Sequence, residues 1–200
     1  MPDPFDAPPG MILAGGLSRR MGGGDKGLVP FAGRPLLSHV IDRMAPQLPA
    51  IALNANGDPA RFARFGIEVV PDPVPGHPGP LAGVLAAMGW AEAHGAPWVI
   101  TVPGDTPWLP GDLVPRLILA GEATEGFAVA ASGGRLHPVC GLWPVRLRAT
   151  LAADLAAGAR RIGDWALLQG AARAEFPTGW PDPFANLNTP ADFDPPGAVG

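Results

Sequence analysis

The sequence predicts a three-layer α/β domain with a mainly parallel sheet. Short apolar runs alternate with longer stretches of helical periodicity, at spacings that suit strand–helix–strand crossovers. Four of the runs stop at Gly15-Gly16, Asn54, Asp72 and Asp105, polar or glycine positions of the kind that gather at the carboxyl ends of parallel strands. No repeat or linker divides the 200 residues.

The first run, residues 11–14 (MILA), reads as a buried strand feeding a glycine-rich loop. Pro35 opens a helix running to Met44, with Leu36, Leu37, Val40 and Ile41 on one face. Residues 51–54 form the next strand. Asp58, followed by Pro59, is a good N-cap for a helix over residues 60–65. A third strand covers residues 68–70, and an Ala-rich helix covers residues 81–93. The β-prone run WVITV at 98–102 is stopped by Pro103-Gly104-Asp105. Gly111-Asp112 opens a helix to about Ala120. Strands follow at 127–131 and 139–143, and helices at 145–156 and 161–169. Residues 1–10 and 194–200 lack periodicity and are expected to be flexible tails on a single domain at 11–193.

Composition narrows the function. Net charge is −4 with no long basic run, against a nucleic-acid partner. No stretch reaches the roughly 18–20 apolar residues of a membrane span, and the start lacks a basic-then-apolar signal. Cys140 is the sole cysteine, so an intramolecular disulfide and a cysteine-based zinc site are excluded. A cytoplasmic monomer is expected. Two usages are informative. Lys26 is the only lysine among fourteen basic residues, and the only asparagines are Asn54, Asn56, Asn186 and Asn188.

The loop L-A-G-G-L-S-R-R-M-G-G-G-D-K, from Leu13 to Lys26, sits directly after a strand. Glycines such as Gly15 and Gly16 let backbone N–H groups approach a polyphosphate. Arg19, Arg20 and Lys26 supply positive charge. A surface loop with incidental charge is the competing reading. Gly22-x-Gly24-x-x-Gly27 begins too far past the strand for a dinucleotide fingerprint, and Lys26 lacks the flanking residues of a P-loop. Asp105 either starts a turn or holds Mg²⁺; beside the glycine loop, metal ligation is favoured. Asn54 offers an amide to a ribose or base edge, whereas turn formation is preferred for Asn56. Asn186 and Asn188 either face a polar heterocycle or cap a short helix after Thr189, and both readings stay open. His39, His77 and His94 read as solvated or core residues, and Cys140 as buried filler.

The opening loop, together with D-P, P-G-P-L-A-G, D-T-P and N-x-N-T-P in that order, resembles the molybdenum cofactor guanylyltransferase family over roughly residues 11–193. The resemblance implies a Rossmann-like fold, GTP as donor, molybdenum-molybdopterin as acceptor and Mg²⁺ as cofactor. It implies that Leu13, Ala14, Gly15, Lys26, Asn54 and Asp72 contact GTP, and that Asp105 binds GTP and Mg²⁺. Catalysis falls to Lys26, Arg20 and Asp105, and Asn186, Asn188, Arg160 and Arg161 lie towards the pterin. Other cofactor-biosynthesis proteins and chaperones of recipient molybdoenzymes are the expected protein partners. Alternatives are a transferase using CTP with the same pterin, one using another triphosphate with a sugar phosphate, and a non-catalytic nucleotide-sensing module.

Overall fold

The computed structural model describes residues 7–14, 25–74, 79–189 and 192. Gly15, Gly16, Arg19, Arg20, residues 75–78 and the expected C-terminal tail lie outside them. In chain order the strands are β1 (Gly10–Leu13), β2 (Pro30–Phe31), β3 (Arg34–Pro35), β4 (Ile51–Asn54), β5 (Glu68–Val70) and β6 (Trp98–Pro103). β7 (Ala128–Ser132), β8 (Arg135–Pro144) and β9 (Ala172–Phe176) follow. The helices are α1 (Leu36–Met44), α2 (Pro80–Ala93), α3 (Leu113–Gly121), α4 (Arg148–Ala156) and α5 (Ile162–Leu168).

Among the described residues, seven strands form one sheet in the order β5-β4-β1-β6-β8-β7-β9, and β2 and β3 make a small antiparallel ribbon. β1 runs parallel to β4 and β6, β4 to β5, and β7 to β9; β8 alone is antiparallel to its neighbours. The strand order reverses at β1, which opens a crevice beyond the carboxyl ends of β1 and β6.

Side-chain alternation assigns the two faces. Ile12, Leu53, Ile100 and Val102 pack with α1 and α3 through Leu37, Val40, Leu113 and Leu117. Met11, Ala52 and Val99 pack on the other face, with α2, α4 and α5. α2 lies against both the sheet and α4, which is why its sequence is apolar all round. Thr101 is one of the buried polar residues of the sheet. Its hydroxyl donates to the Val139 carbonyl at 2.7 Å and accepts from Trp143 Nε1 at 2.7 Å, so no polar atom of the pair is stranded.

Several expectations are corrected. The sheet begins at Gly10, whose N–H donates to the Ala50 carbonyl, and the Pro9 carbonyl accepts from Ile100 N–H, each at 2.9 Å. The end of the expected tail is therefore pinned between two strands. The helix expected at 60–65 is a 3₁₀ helix, Pro59–Phe65, with Asp58 accepting from Ala60 N–H at 2.9 Å. The repeat A-R-F-A-R-F explains the tighter winding: at three residues per turn, Phe62 and Phe65 stack on the same side, and both reach the core. Pro35 is the N-cap of α1 and part of the ribbon. The segment expected as one helix at 145–156 is a 3₁₀ turn followed by α4.

The strand expected at 139–143 extends back to Arg135, across Pro138. The register with β7 shifts between Val129 and Ala130, which pair with Gly141 and His137. Proline is tolerated in a strand at such a bulge, where no ladder hydrogen bond is demanded of it. β9 was not expected. Its sequence A-R-A-E-F carries residues with weak strand preference, and only its pairing with β7 selects the extended form.

Candidate active site

The crevice is built from strand ends. Ala14 N–H donates to the Asn54 carbonyl at 2.9 Å, and Gly104 N–H donates to the Leu13 carbonyl at 3.0 Å. The backbone at Leu13–Ala14 is thereby held between the ends of β4 and β6. A Cβ at Gly104 would sit 3.3 Å from both Ala14 Cβ and the Leu13 carbonyl oxygen. Glycine there lets the two ends close up.

On the β4–β5 side, two amides fix one carboxylate. Buried Asn54 donates from Nδ2 to Asp72 Oδ1 at 3.0 Å and to the Val70 carbonyl at 3.1 Å. Asn56 Nδ2 donates to Asp72 Oδ2 at 2.7 Å, and Asp72 N–H donates to Asn56 Oδ1 at 2.9 Å. Asn56 therefore does more than form a turn: it orients Asp72. α2 approaches so closely that a Cβ at Gly83 would lie 2.7 Å from Asn54 Oδ1.

On the β6 side, Lys26 Nζ lies 2.6 Å from Asp105 Oδ2 and 2.6 Å from Asn188 Oδ1. One ammonium group thus joins the end of the glycine loop, the carboxylate after β6 and an amide from a segment eighty residues further on. That segment is locked in place. Leu187 N–H donates to the Asp105 carbonyl at 3.0 Å, and the buried Thr106 hydroxyl donates to Asn186 Oδ1 at 3.1 Å. Thr106 went unnoticed in the sequence, although D-T-P was part of the resemblance. Among the described residues neither asparagine side chain makes a capping bond; Asp192 accepts from the backbone N–H groups of Asn188 and Thr189, at 2.6 and 2.7 Å. Those bonds, the one from Thr189 first, hold the Asp192 carboxyl below its usual range.

Arg160 and Arg161 stand apart from this cluster. Arg160 Nη1 donates to the carbonyls of Leu155 and Ala159, at 3.0 and 2.6 Å. Arg161 is exposed and faces Asp164 at 3.5 Å. Among the described residues no contact joins either to Asn186 or Asn188. The Arg160 carbonyl instead lies 4.0 Å from where a Gly79 Cβ would be, beside the start of α2. Gly79 has φ of 86°, a conformation that favours glycine. Gly15, Gly16 and Arg20 lie outside the described residues.

His137, also unremarked in the sequence, is at the same end of the sheet. Its ring stacks on Phe184 with centroids 4.3 Å apart and planes 12° apart, and Nε2 is 2.8 Å from Ser132 Oγ. Burial, then Arg135, lowers its pKa below the ordinary value, while Asp182 acts the other way. Phe184 precedes Asn186 by two residues, so this stack anchors the segment that reaches Lys26. The fully buried Cys140 thiol is pushed far up, by burial first and by Asp105 second, which removes it as a nucleophile. His39 and His94 bond to the carbonyls of Phe31 and Trp90, in keeping with structural roles.

No cluster of three His, Cys, Asp or Glu occurs among the described residues. Mg²⁺ is commonly held by one or two carboxylates, with substrate phosphates and water filling the rest of its shell. Asp105 fits that role: Oδ2 already attracts a cation, the Lys26 ammonium.

The description "MobA-like NTP transferase domain" matches residues 10–172. A molybdenum cofactor guanylyltransferase of Cereibacter sphaeroides is 54% identical over 185 residues, covering 92% of each chain. The protein of the same name from Rhodopseudomonas palustris strain BisB5 is 54% identical over 194 residues, covering 93% of this chain and 90% of the relative.

The chain belongs to the MobA-like NTP transferase family.

The fold agrees. The crystal structure of molybdopterin-guanine dinucleotide biosynthesis protein A from Archaeoglobus fulgidus superposes with a TM-score of 0.70 at 19% identity, covering 92% of this chain and 94% of that one. In this MobA-like chain the glycine-loop lysine and Asp105 fall inside the matched span, whereas Asn186 and Asn188 lie beyond it and join through tertiary contacts alone.

Proposed function

We propose that this nucleotidyltransferase moves GMP from GTP to the terminal phosphate of molybdenum-molybdopterin, giving the guanine dinucleotide cofactor and pyrophosphate. The observation that carries this reading is the Lys26–Asp105–Asn188 contact. It brings together a phosphate-side cation, a metal-side carboxylate and an acceptor-side amide, in a chain half identical to guanylyltransferases.

A phosphate oxygen of the pterin attacks the α-phosphorus of GTP as the bond to pyrophosphate breaks. The second pKa of such a monoester is about 6, so the nucleophile is already anionic and no general base is needed. What remains for the protein is positioning and charge neutralisation. Leu13 and Ala14 present backbone at the strand switch, and Asn54 and Asp72 offer a fixed polar edge to the nucleoside. Asn186 and Asn188 face the acceptor, and Lys26 with Arg20 offsets phosphate charge. Asp105 is the residue that would hold Mg²⁺, which when bound neutralises charge on the transferring phosphates.

Pyrophosphate release on mixing GTP, Mg²⁺ and the molybdenum-loaded pterin is the direct test. GTP and GDP are expected to compete for the site, and ATP and CTP barely, because a pocket built to hydrogen-bond guanine leaves polar groups unpaired against another base. Equal competition by CTP would assign a cytidylyltransferase instead. Asp105→Asn should cost two or more orders of magnitude in rate, about 3 kcal/mol of transition-state stabilisation. A normal Mg²⁺ response in that variant would place the metal elsewhere.

A further inference from the structure

Asp25 is anomalous where it stands: a carboxylate in a loop whose other charges suit a polyphosphate, and next to the only lysine. Its position predicts a cap. It is the N-cap residue of the 3₁₀ turn Lys26–Leu28, yet its side chain makes no capping hydrogen bond. The carboxylate turns instead to Arg61, whose Nε it meets in a close ion pair with both side chains largely shielded.

The rest of the guanidinium is equally committed. Nη1 donates to the Asp58 carbonyl at 2.9 Å, and Nη2 donates to the Asn56 carbonyl. The same group lies 4.7 Å from the centroid of the Phe62 ring. Gly57, with φ of 85°, wraps the turn so closely that a Cβ there would stand 2.9 Å from Nη1. Asn56, whose carbonyl Arg61 holds, is the residue that orients Asp72. One side chain therefore ties the end of the glycine loop to the turn that carries the Asn54–Asn56–Asp72 network.

We propose that the Asp25–Arg61 pair is a positioning device for transfer: it fixes the loop at Asp25 so that the adjacent Lys26 ammonium is aimed at the reacting phosphates. The inference rests on the reaction proposed above. The pair also cancels a negative charge that would otherwise oppose the nucleotide. Lysine cannot replace the arginine, because only a planar fork donates to two carbonyls while its third nitrogen faces a carboxylate in an ion pair.

The test is a double-mutant cycle of Asp25→Asn and Arg61→Ala, read in kcat, in GTP affinity by calorimetry and in melting temperature. Each single variant should lose ten-fold or more in kcat and change melting by a few degrees, and Asp25→Asn, which leaves the bonds from Arg61 to the Asn56 turn in place, should keep GTP affinity within three-fold. The double variant should fall no more than three-fold below the worse single one. Additive losses, or a wild-type kcat in Asp25→Asn, overturn the proposal; the milder variant carries the test if Arg61→Ala fails to fold. A second readout needs no acceptor. Lys26 is the only lysine, so protein labelled with ¹⁵N-lysine gives a single side-chain nitrogen signal. That signal should move in both single variants, and an unmoved signal in both overturns the pairing. A wild-type protein that releases no pyrophosphate, while the signal moves as expected, would instead sink the reaction and leave the pair standing.

Discussion

Lys26 shows how much one side chain is asked to do. Its ammonium is shared between Asp105 and Asn188, with only about 15% of the side chain exposed. Lys26→Ala should lower turnover by two orders of magnitude or more, about 3 kcal/mol. The pair is partly solvated, so melting should drop by only about 2–4 °C, the effect of roughly 1 kcal/mol in a chain of this size. Lys26→Arg should also be poor, since a fork cannot sit where a compact charge meets two oxygens. Wild-type rates in either variant would take the loop out of the mechanism. Gly83 makes the opposite case. Alanine in a helix is ordinarily better than glycine by about 1 kcal/mol, yet a Cβ here would press within 2.7 Å of Asn54 Oδ1. Overpacking costs about 1–3 kcal/mol, so Gly83→Ala should lower melting by a few degrees while raising the KM for GTP about ten-fold. An unchanged KM would show that Asn54 is not part of the nucleotide site.

Among the elements, the hairpin of β7 and β8 carries a pH dependence. His137 is stacked on Phe184 and its pKa lies below 6.5, chiefly through burial. The native state then binds fewer protons than the unfolded chain as pH falls through 6.5. The stability that neutral His137 contributes is present above that pH and is lost as acid forces a proton onto either the buried ring or the unfolded one. Wild type should lose more melting temperature between pH 7.5 and 5.5 than His137→Gln, which has no group to titrate there. Equal losses would mean that the ring titrates normally. Three β elements were not readable from their residues. Pro138 disguised the first half of β8, because a proline argues against a strand until the bulge that accommodates it is known. β9 is drawn from residues with weak strand preference, and the ribbon of β2 and β3 is only two residues deep. The 3₁₀ winding of Pro59–Phe65 was present as a three-residue repeat, but cap and proline signals are common to both kinds of helix.

At the scale of the whole molecule, the N-terminal strand is central in the sheet, and this reverses one expectation. A tail ending at residue 10 would be removable at no cost. Yet Pro8 is buried and the Pro9 carbonyl accepts from Ile100 N–H at 2.9 Å. Removing residues 1–9 should lower melting by about 2–4 °C for the hydrogen bond alone. An unchanged melting curve would show that this edge contributes nothing. The sequence by itself determined the α/β class, the strand end at Asn54 and the position of Asp105 just past another strand, because these rest on local periodicity and on residue types written within a few positions of one another. Tertiary structure alone decided which polar groups meet. Asn188 reaches Lys26 across 162 positions, Thr106 reaches Asn186 across 80, and Asp25 finds Arg61 while declining the cap its own turn offers. Arg160 and Arg161, grouped with the asparagines by resemblance, make their described contacts elsewhere. Such partners are chosen by how strands cross and helices pack, and hydrogen-bond geometry between distant segments leaves no periodic trace in the chain that makes it.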